Sequence, residues 1–209
     1  MNQVRRVAAV AVDLDGTIAH FHGPQRDRGF FKIFTSRGVL EEAIEKTYQE
    51  TMATIGFSIP NFLCVLSKYT KVPLSSEEVQ KEFHLWVEAD FAAFPDSRAA
   101  LERWKDASVP IIILTAGEEE YQKKKVHLAD IYYDRLIIVT TAIEKVEKLR
   151  EISEEYGQPV AFYDDNPRTL DAVRESGVDV ETVWVKRAND PSKVRPKFPH
   201  RKIRTLNRE

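Results

Sequence analysis

The sequence predicts an α/β fold in which a doubly wound, mostly parallel sheet forms the core and an all-helical segment is inserted near its beginning. Three observations support this prediction: short apolar runs rich in β-branched residues, helical patterns between those runs, and one long stretch without any such run. Alternation of strands and helices is typical of parallel sheets, whose right-handed crossovers place helices on both faces.

Short apolar runs are predicted to be the buried strands of this sheet. They cover residues 7–12, 109–114, 136–139, 160–163 and 180–185. A continuous apolar run of this length indicates a strand that is covered on both faces, as in a parallel sheet. The first run ends in acidic residues and Gly16, which mark the point where the chain leaves the strand.

Helical patterns lie between these runs. Residues 97–105 place Leu101 and Trp104 on one face, and residues 143–156 repeat apolar side chains at intervals of three and four. Residues 167–176 begin at Pro167 and end before Gly177, as helices commonly do.

The stretch between His20 and Phe94 has no buried-strand run but several amphipathic segments. Residues 39–55 and 61–69 repeat apolar side chains at helical intervals, and Ser75 with Glu78 forms a capping-box pattern ahead of a third segment. The sequence therefore predicts a core made of residues 1–20 and 94–209 and a helical insertion of residues 21–93.

The composition is that of a soluble globular protein, because 43% of the 209 residues are hydrophobic and 31% are charged. A formal net charge of −2 gives no indication of a polyanionic partner. The single cysteine, Cys64, excludes an internal disulfide, and we expect it to be a small buried apolar residue. The first apolar run is too short for a signal sequence or a membrane span, so we expect a cytoplasmic protein without membrane contact.

The segment Asp13-Leu14-Asp15-Gly16-Thr17 follows the first predicted strand directly. Ligands of open α/β sheets bind beyond the carboxyl ends of the strands, so a site is expected here. Asp13 is placed to attack as a nucleophile, and Asp15 is placed to exchange a proton with the leaving group and later with water. Gly16 permits a sharp turn, and Thr17 can cap it. Considered alone, the segment is also compatible with an ordinary Asp-Gly turn.

Two later predicted strands end in polar segments as well. Leu114-Thr115-Ala116-Gly117 closes the second strand, and Tyr163-Asp164-Asp165-Asn166-Pro167 closes the fourth. Together with the segment from Asp13 to Thr17, these motifs resemble the haloacid dehalogenase superfamily, specifically its phosphatase-like members with a helical cap inserted after the first motif. The resemblance covers nearly the whole core and matches the insertion only by position and helical character.

This resemblance implies a Rossmann-like core, a helical cap and Mg²⁺-dependent hydrolysis of a small phosphorylated substrate through an aspartyl-phosphate on Asp13. It also implies that Thr115, with Ala116 and Gly117, holds phosphate oxygens. The family places a lysine near the start of the helix before the last motif, where Lys145 stands and Lys148 is the rival. We interpret the lysines at positions 123–125 as the solvated face of an earlier helix.

A metal site is expected at the same place. A phosphate monoester is dianionic and repels a carboxylate, so nearby positive charge from Mg²⁺ and a lysine is needed. The resemblance assigns Asp13 and Asp165 as ligands, with the backbone carbonyl of Asp15 as a third and Asp164 either in the outer shell or as a direct ligand. Many relatives carry an acid where this chain has Thr169, which leaves the detailed ligand shell open. Asn166 is expected either to bind the metal water or Lys145, or to cap the following helix.

The sequence is also compatible with other functions. The basic stretch after Lys186 suggests nucleic-acid binding, but we interpret it as a solvated edge with a last short strand at residues 203–206, as in capped relatives. A phosphomutase of the same family and a non-catalytic binding module that has kept the fold stay as alternatives. The cap has no motif that identifies the substrate, and the sequence does not reveal the oligomeric state.

Overall fold

The computed structural model describes residues 7–21, 26–54, 57–188 and 194–207. The strands are β1 (Ala9–Val12), β2 (Ala19–Phe21), β3 (Phe91–Ala93), β4 (Ile111–Ala116), β5 (Arg135–Val139), β6 (Val160–Asp164), β7 (Glu181–Val185) and β8 (Arg201–Ile203). The helices are α1 (Arg26–Thr35), α2 (Glu41–Thr54), α3 (Ile59–Leu66), α4 (Ser76–Asp90), α5 (Pro95–Asp106), α6 (Glu119–Ala129), α7 (Glu144–Tyr156) and α8 (Pro167–Glu175).

The main sheet has six strands in the order β5-β4-β1-β6-β7-β8, and every pair of neighbours is parallel. Residues 9–12 of the central strand β1 are fully buried, because helices of a doubly wound sheet cover both faces. The predicted α/β class with a parallel sheet is confirmed. Beside β1 the chain order turns from β4 on one side to β6 on the other, and this switch point is where α/β sheets bind ligands.

The strand register fixes which residues meet at the carboxyl edge of the sheet. Val12 pairs with Tyr163 of β6 and with Ile113 of β4. The residues that follow in β1 and β6, Asp13 and Asp164, therefore emerge side by side, and the Asp13 N–H donates to the Tyr163 carbonyl over 2.9 Å. The polar motifs of three strands thus end at one edge of the sheet.

The chain divides into two compact units, one that runs to His20 and resumes at Ala93, and one that covers Phe21–Ala92. The second unit contains α1 to α4. The Ser75 hydroxyl accepts a hydrogen bond of 3.3 Å from the Glu78 N–H and so caps α4, as the sequence pattern predicts. The interior of the second unit is aromatic. The ring centroid of Phe30, for example, lies 5.1 Å from those of both Phe34 and Phe62.

Several local expectations differ from the structure. The three-residue strands β2 and β3 pair with each other at the two ends of the helical unit, and their length is too short to produce a strand pattern in the sequence. Helix α1 was not predicted, although Phe30, Ile33 and Phe34 are buried at helical spacing. Cys64 is exposed, so the expectation that it is buried was wrong.

The last strand also lies earlier than predicted, at Arg201–Ile203 instead of residues 203–206. It forms the sheet edge beside β7, and two of its three residues, Arg201 and Lys202, are exposed cations of the kind that discourages edge-to-edge pairing. The carboxylate of Asp171 in α8 anchors the preceding segment by accepting from the N–H groups of Lys197 and Phe198. Within the described part of the chain, no helix is long and apolar enough to span a membrane.

Candidate active site

Asp13 stands at the carboxyl end of β1 and is 6% exposed. The Lys145 ammonium group donates to Asp13 Oδ1 over 2.7 Å and to Asp164 Oδ2 over 2.9 Å. Lys145 belongs to the first turn of α7 and is itself 4% exposed. The rival, Lys148, is half-buried and pairs with Glu151 on the helix surface. Of the two lysines, the structure therefore brings Lys145 to Asp13, the residue predicted to be the nucleophile.

Three carboxylates form one group at this edge. Asp13, Asp164 and Asp165 each offer an oxygen, and these oxygens lie within 4.8 Å of one another. The pKa of Asp13 is raised to about 7, chiefly by burial, with Lys145 opposing the shift and Asp164 and Asp15 adding to it. Burial, with Asp164 and Asp13 nearby, raises the pKa of Asp165 well above its usual value. Carboxylates crowded in this way need more positive charge than Lys145 alone supplies.

This donor set fits a hard divalent cation. Carboxylate oxygens are the ligands that Mg²⁺ prefers, and it commonly uses one or two of them together with backbone and water oxygens. Both oxygens of Asp164 are engaged, one by Lys145 and one by the Asn166 N–H over 2.7 Å. Asp13 and Asp165 are therefore better suited to direct ligation than Asp164.

The loop that carries Asp165 is held from both sides. The Asp165 backbone carbonyl accepts from the Trp184 indole N–H over 3.0 Å. Gly16 faces its side chain so closely that an added Cβ would lie 2.3 Å from Asp165 Oδ2. Asn166 accepts from the Arg168 N–H over 3.0 Å, so the expectation that this residue caps α8 is confirmed.

Thr115 is 1% exposed at the end of β4, and its hydroxyl donates to Gln122 Oε1 over 3.2 Å. The Gln122 amide in turn donates to the Ala116 carbonyl over 2.9 Å and reaches Asp15 Oδ2 at 3.5 Å. The Gly117 N–H is bound to the Val139 carbonyl over 2.8 Å. The second motif is thus linked to the acid Asp15 through Gln122, a residue that was not singled out from the sequence.

Lys125 is buried, with 3% exposure, and its ammonium group contacts Asp15 Oδ2. The interpretation of this lysine as part of a solvated helix face was therefore wrong. The signal was present in the sequence, because Gln122, Val126 and Ala129 share the buried face of α6 with it at spacings of three and four. Lys123, in contrast, is exposed and pairs with Glu119.

Thr17, the last residue of the first motif, does not have its expected role. The Thr17 hydroxyl is buried and has no hydrogen-bond partner among the described residues, so it does not cap the turn. Its backbone carbonyl accepts from Arg187 over 2.5 Å. The structure therefore shows two linked groups: Asp13, Asp164 and Asp165 around Lys145, and Asp15 with Thr115 around Gln122 and Lys125.

Comparison with known proteins shows which proteins this chain is similar to. A family model described as haloacid dehalogenase-like hydrolase matches residues 7–177. Enolase-phosphatase E1 of Klebsiella oxytoca is 31% identical over an alignment of 106 residues that covers 44% of this chain and 45% of that relative. The chain thus aligns with less than half the length of that curated relative.

Solved structures show the same fold at low sequence identity. A haloacid dehalogenase-like hydrolase from Burkholderia xenovorans superposes with a TM-score of 0.69 at 19% identity, covering 95% of this chain and 93% of the other. A protein described as a β-phosphoglucomutase from Thermotoga maritima gives 0.66 at 18% identity and covers 88% of both chains.

Proposed function

The chain belongs to the haloacid dehalogenase-like hydrolase family, and we propose that it is a Mg²⁺-dependent phosphohydrolase that carries the phosphoryl group on Asp13. The observation that carries this proposal is the pairing of Asp13 with the buried Lys145 beside Asp164 and Asp165. A carboxylate held against a cation in a group of acids is suited to attack a dianionic phosphate once the charge is neutralised.

In the first step, an oxygen of Asp13 bonds to phosphorus as the bond to the leaving oxygen breaks, and Asp15 gives that oxygen a proton. Lys145 stabilises the negative charge that gathers on the phosphoryl oxygens. The Thr115 hydroxyl is placed to hold one of these oxygens if it turns away from Gln122, to which it now donates. The Gly117 N–H is already bound to Val139, so we assign phosphate contact in this loop to Thr115 and Ala116 first.

In the second step, water attacks the phosphorus atom, the bond to Asp13 breaks, and Asp15 takes the proton from the water. Asp13, Asp165 and the backbone carbonyl of Asp15 would hold the metal, with Asp164 acting through Lys145 and the loop. A bound Mg²⁺ would supply charge neutralisation at the phosphoryl oxygens and the carboxylates. The helical unit, residues 21–93, is proposed as the cap that keeps water out during the first step.

The test is a phosphate-release screen over a broad panel of phosphorylated metabolites with Mg²⁺ present. We expect release with the wild type and none above background with Asp13→Asn or Asp15→Asn, at unchanged circular dichroism. Asp106→Asn is the matched control, because Asp106 is exposed at the end of α5. Retained activity in Asp13→Asn would refute the assignment. Transfer of the phosphoryl group within a sugar phosphate without phosphate release would instead identify a phosphomutase.

A further inference from the structure

Lys125 is a buried lysine whose ammonium group is placed against Asp15, one of the two carboxylates of the first motif. It contacts Asp15 Oδ2, and its ring neighbour Tyr121 lies 4.5 Å from Nζ. Its side chain is 3% exposed, while that of Asp15 is 38% exposed. The cation is therefore the enclosed partner, and the carboxylate is the partner that stays open to solvent.

A second contact acts on the same carboxylate oxygen. The Gln122 amide lies 3.5 Å from Asp15 Oδ2 and is itself fixed by the Ala116 carbonyl and the Thr115 hydroxyl. Gly117 leaves the space for this amide, since a Cβ there would lie 2.5 Å from Gln122 Nε2. Gln122 and Lys125 are three residues apart on the buried face of α6. One helix face thus presents two donors to one oxygen of Asp15.

Enclosing a lysine costs free energy that an apolar side chain of the same length would not cost. A purely structural role at this buried position would be served by methionine. The burial of Lys125 is explained by its effect on Asp15. The Asp15 side chain is 38% exposed, and without this contact its carboxylate would be less restricted. Two donors on a rigid helix restrict it to one orientation, and general acid-base groups depend on such placement.

We propose that Lys125, supported by Gln122, is the positioning residue for Asp15 and aims its carboxylate at the water that hydrolyses the phosphorylated Asp13. This inference rests on the proposed function. In the step concerned, the water oxygen bonds to phosphorus, the bond between phosphorus and Asp13 breaks, and the water proton passes to Asp15. Lys125 gives and takes no proton in this step. Loss of Lys125 then slows hydrolysis of the intermediate more than its formation.

4-Nitrophenyl phosphate separates the two steps, because nitrophenolate is a weak base and leaves with little help from an acid. We expect Lys125→Met to form nitrophenolate in a burst stoichiometric with enzyme, at a rate within a few-fold of the wild type. Steady-state turnover should then fall by about 100-fold, the lower end of what a placed acid-base group contributes. Rapid quenching and intact-protein mass spectrometry should find the variant heavier by one phosphoryl group.

Controls make the result specific. Lys123→Met removes a charge from the exposed face of the same helix and should behave as the wild type. Lys125→Arg keeps the cation and should recover much of the lost turnover. Lys125→Met is expected to fold, because it removes the enclosed charge and leaves Asp15 in contact with solvent; a thermal melt checks this.

Equal losses in the burst and in turnover, or turnover unchanged in Lys125→Met, would overturn the inference while leaving the phosphohydrolase assignment intact. A Lys125→Met protein that does not fold, together with a folded Lys125→Arg protein that loses both phases equally, would also overturn it. A wild type that releases neither nitrophenolate nor phosphate would overturn the proposed function, and the inference would fall with it.

Discussion

The Lys145 ammonium group bridges Asp13 and Asp164, with Nζ 2.7 Å from Asp13 Oδ1 and 2.9 Å from Asp164 Oδ2. All three side chains are almost fully buried. Burial alone would lower the pKa of Lys145, but the two carboxylates more than offset this and raise it. The lysine is therefore held as a cation, and it fixes the orientation of the proposed nucleophile before any substrate arrives.

Replacement of Lys145 tests this bridge. Lys145→Met leaves two buried carboxylates without their cation, which should lower the free energy of unfolding by about 3–5 kcal/mol in the absence of divalent metal. Phosphate release should fall by about 100-fold or more, as when one donor to a developing negative charge is removed. Lys148→Met, at a half-buried position of the same helix where the lysine pairs with Glu151, should change neither quantity. Denaturant titration measures the free energy of unfolding, and a phosphate assay measures the rate of release. Equal values of these quantities in the two variants would contradict the role assigned to Lys145.

The contact between Gly16 and Asp165 leads to a second prediction. Gly16 has a φ of +74°, where a side chain costs about 1–2 kcal/mol. In Gly16→Ala the new Cβ would also displace the Asp165 carboxylate, which lies 2.3 Å away. We expect lower phosphate release and a higher Mg²⁺ concentration for half-maximal activity.

Gly177→Ala is the control for backbone strain. Gly177 has a φ of +70° but no atom within 4 Å of an added Cβ. Gly177→Ala should lower the free energy of unfolding by a similar amount to Gly16→Ala. It should keep its phosphate-release activity and its Mg²⁺ dependence. If the two alanine variants showed the same Mg²⁺ dependence, the contact with Asp165 would have no part in metal binding.

The raised pKa of Asp13 predicts how stability depends on pH. Its value is about 7 in the folded protein and 3.8 in the reference state. Between these values the folded protein keeps a proton that the unfolded chain has released, so the free energy of unfolding falls as the pH rises through this window. Asp13→Asn removes this contribution and should show a shallower fall.

Denaturant titrations at pH 4 to 8, in chelator and in Mg²⁺, measure this dependence. The range extends about one pH unit above the upper end of the window. Because a bound divalent cation favours the ionised carboxylates, Mg²⁺ should raise the stability most at the upper end of the range. The same slope in the wild type and in Asp13→Asn would exclude a raised pKa at this residue.

Much of the core could be predicted from the sequence because buried parallel strands leave continuous apolar runs, and polar residues at their ends must meet at one edge. That reasoning placed Asp13, Thr115 and Asp165 at the ends of separate strands, whereas Lys145, in the first turn of α7, was selected by the family resemblance. The short strands β2 and β3 could not be recognised, since three residues do not form an alternating pattern.

Other features depended on tertiary contacts. Lys125 stands in a run of three lysines, which by composition indicates a solvated surface, and its place on the face of α6 that also carries Val126 and Ala129 distinguishes it from Lys123. Gln122 likewise has no signal of its own, because its importance comes from joining Thr115 to Asp15, which lies 107 residues before Gln122 in the chain. The burial of a helix face was therefore the information that the motifs did not contain.

Capture of the phosphorylated intermediate tests the central proposal most directly. The protein would be mixed with substrate and Mg²⁺, quenched, reduced with borohydride and digested with trypsin, which releases the peptide of residues 7–26. Borohydride converts a phosphorylated aspartate to an alcohol, so tandem mass spectrometry identifies the residue that carried the phosphoryl group. We predict modification at Asp13 alone and none in Asp13→Asn. Modification at Asp15 or at another residue, or turnover without any modified aspartate, would contradict the proposal.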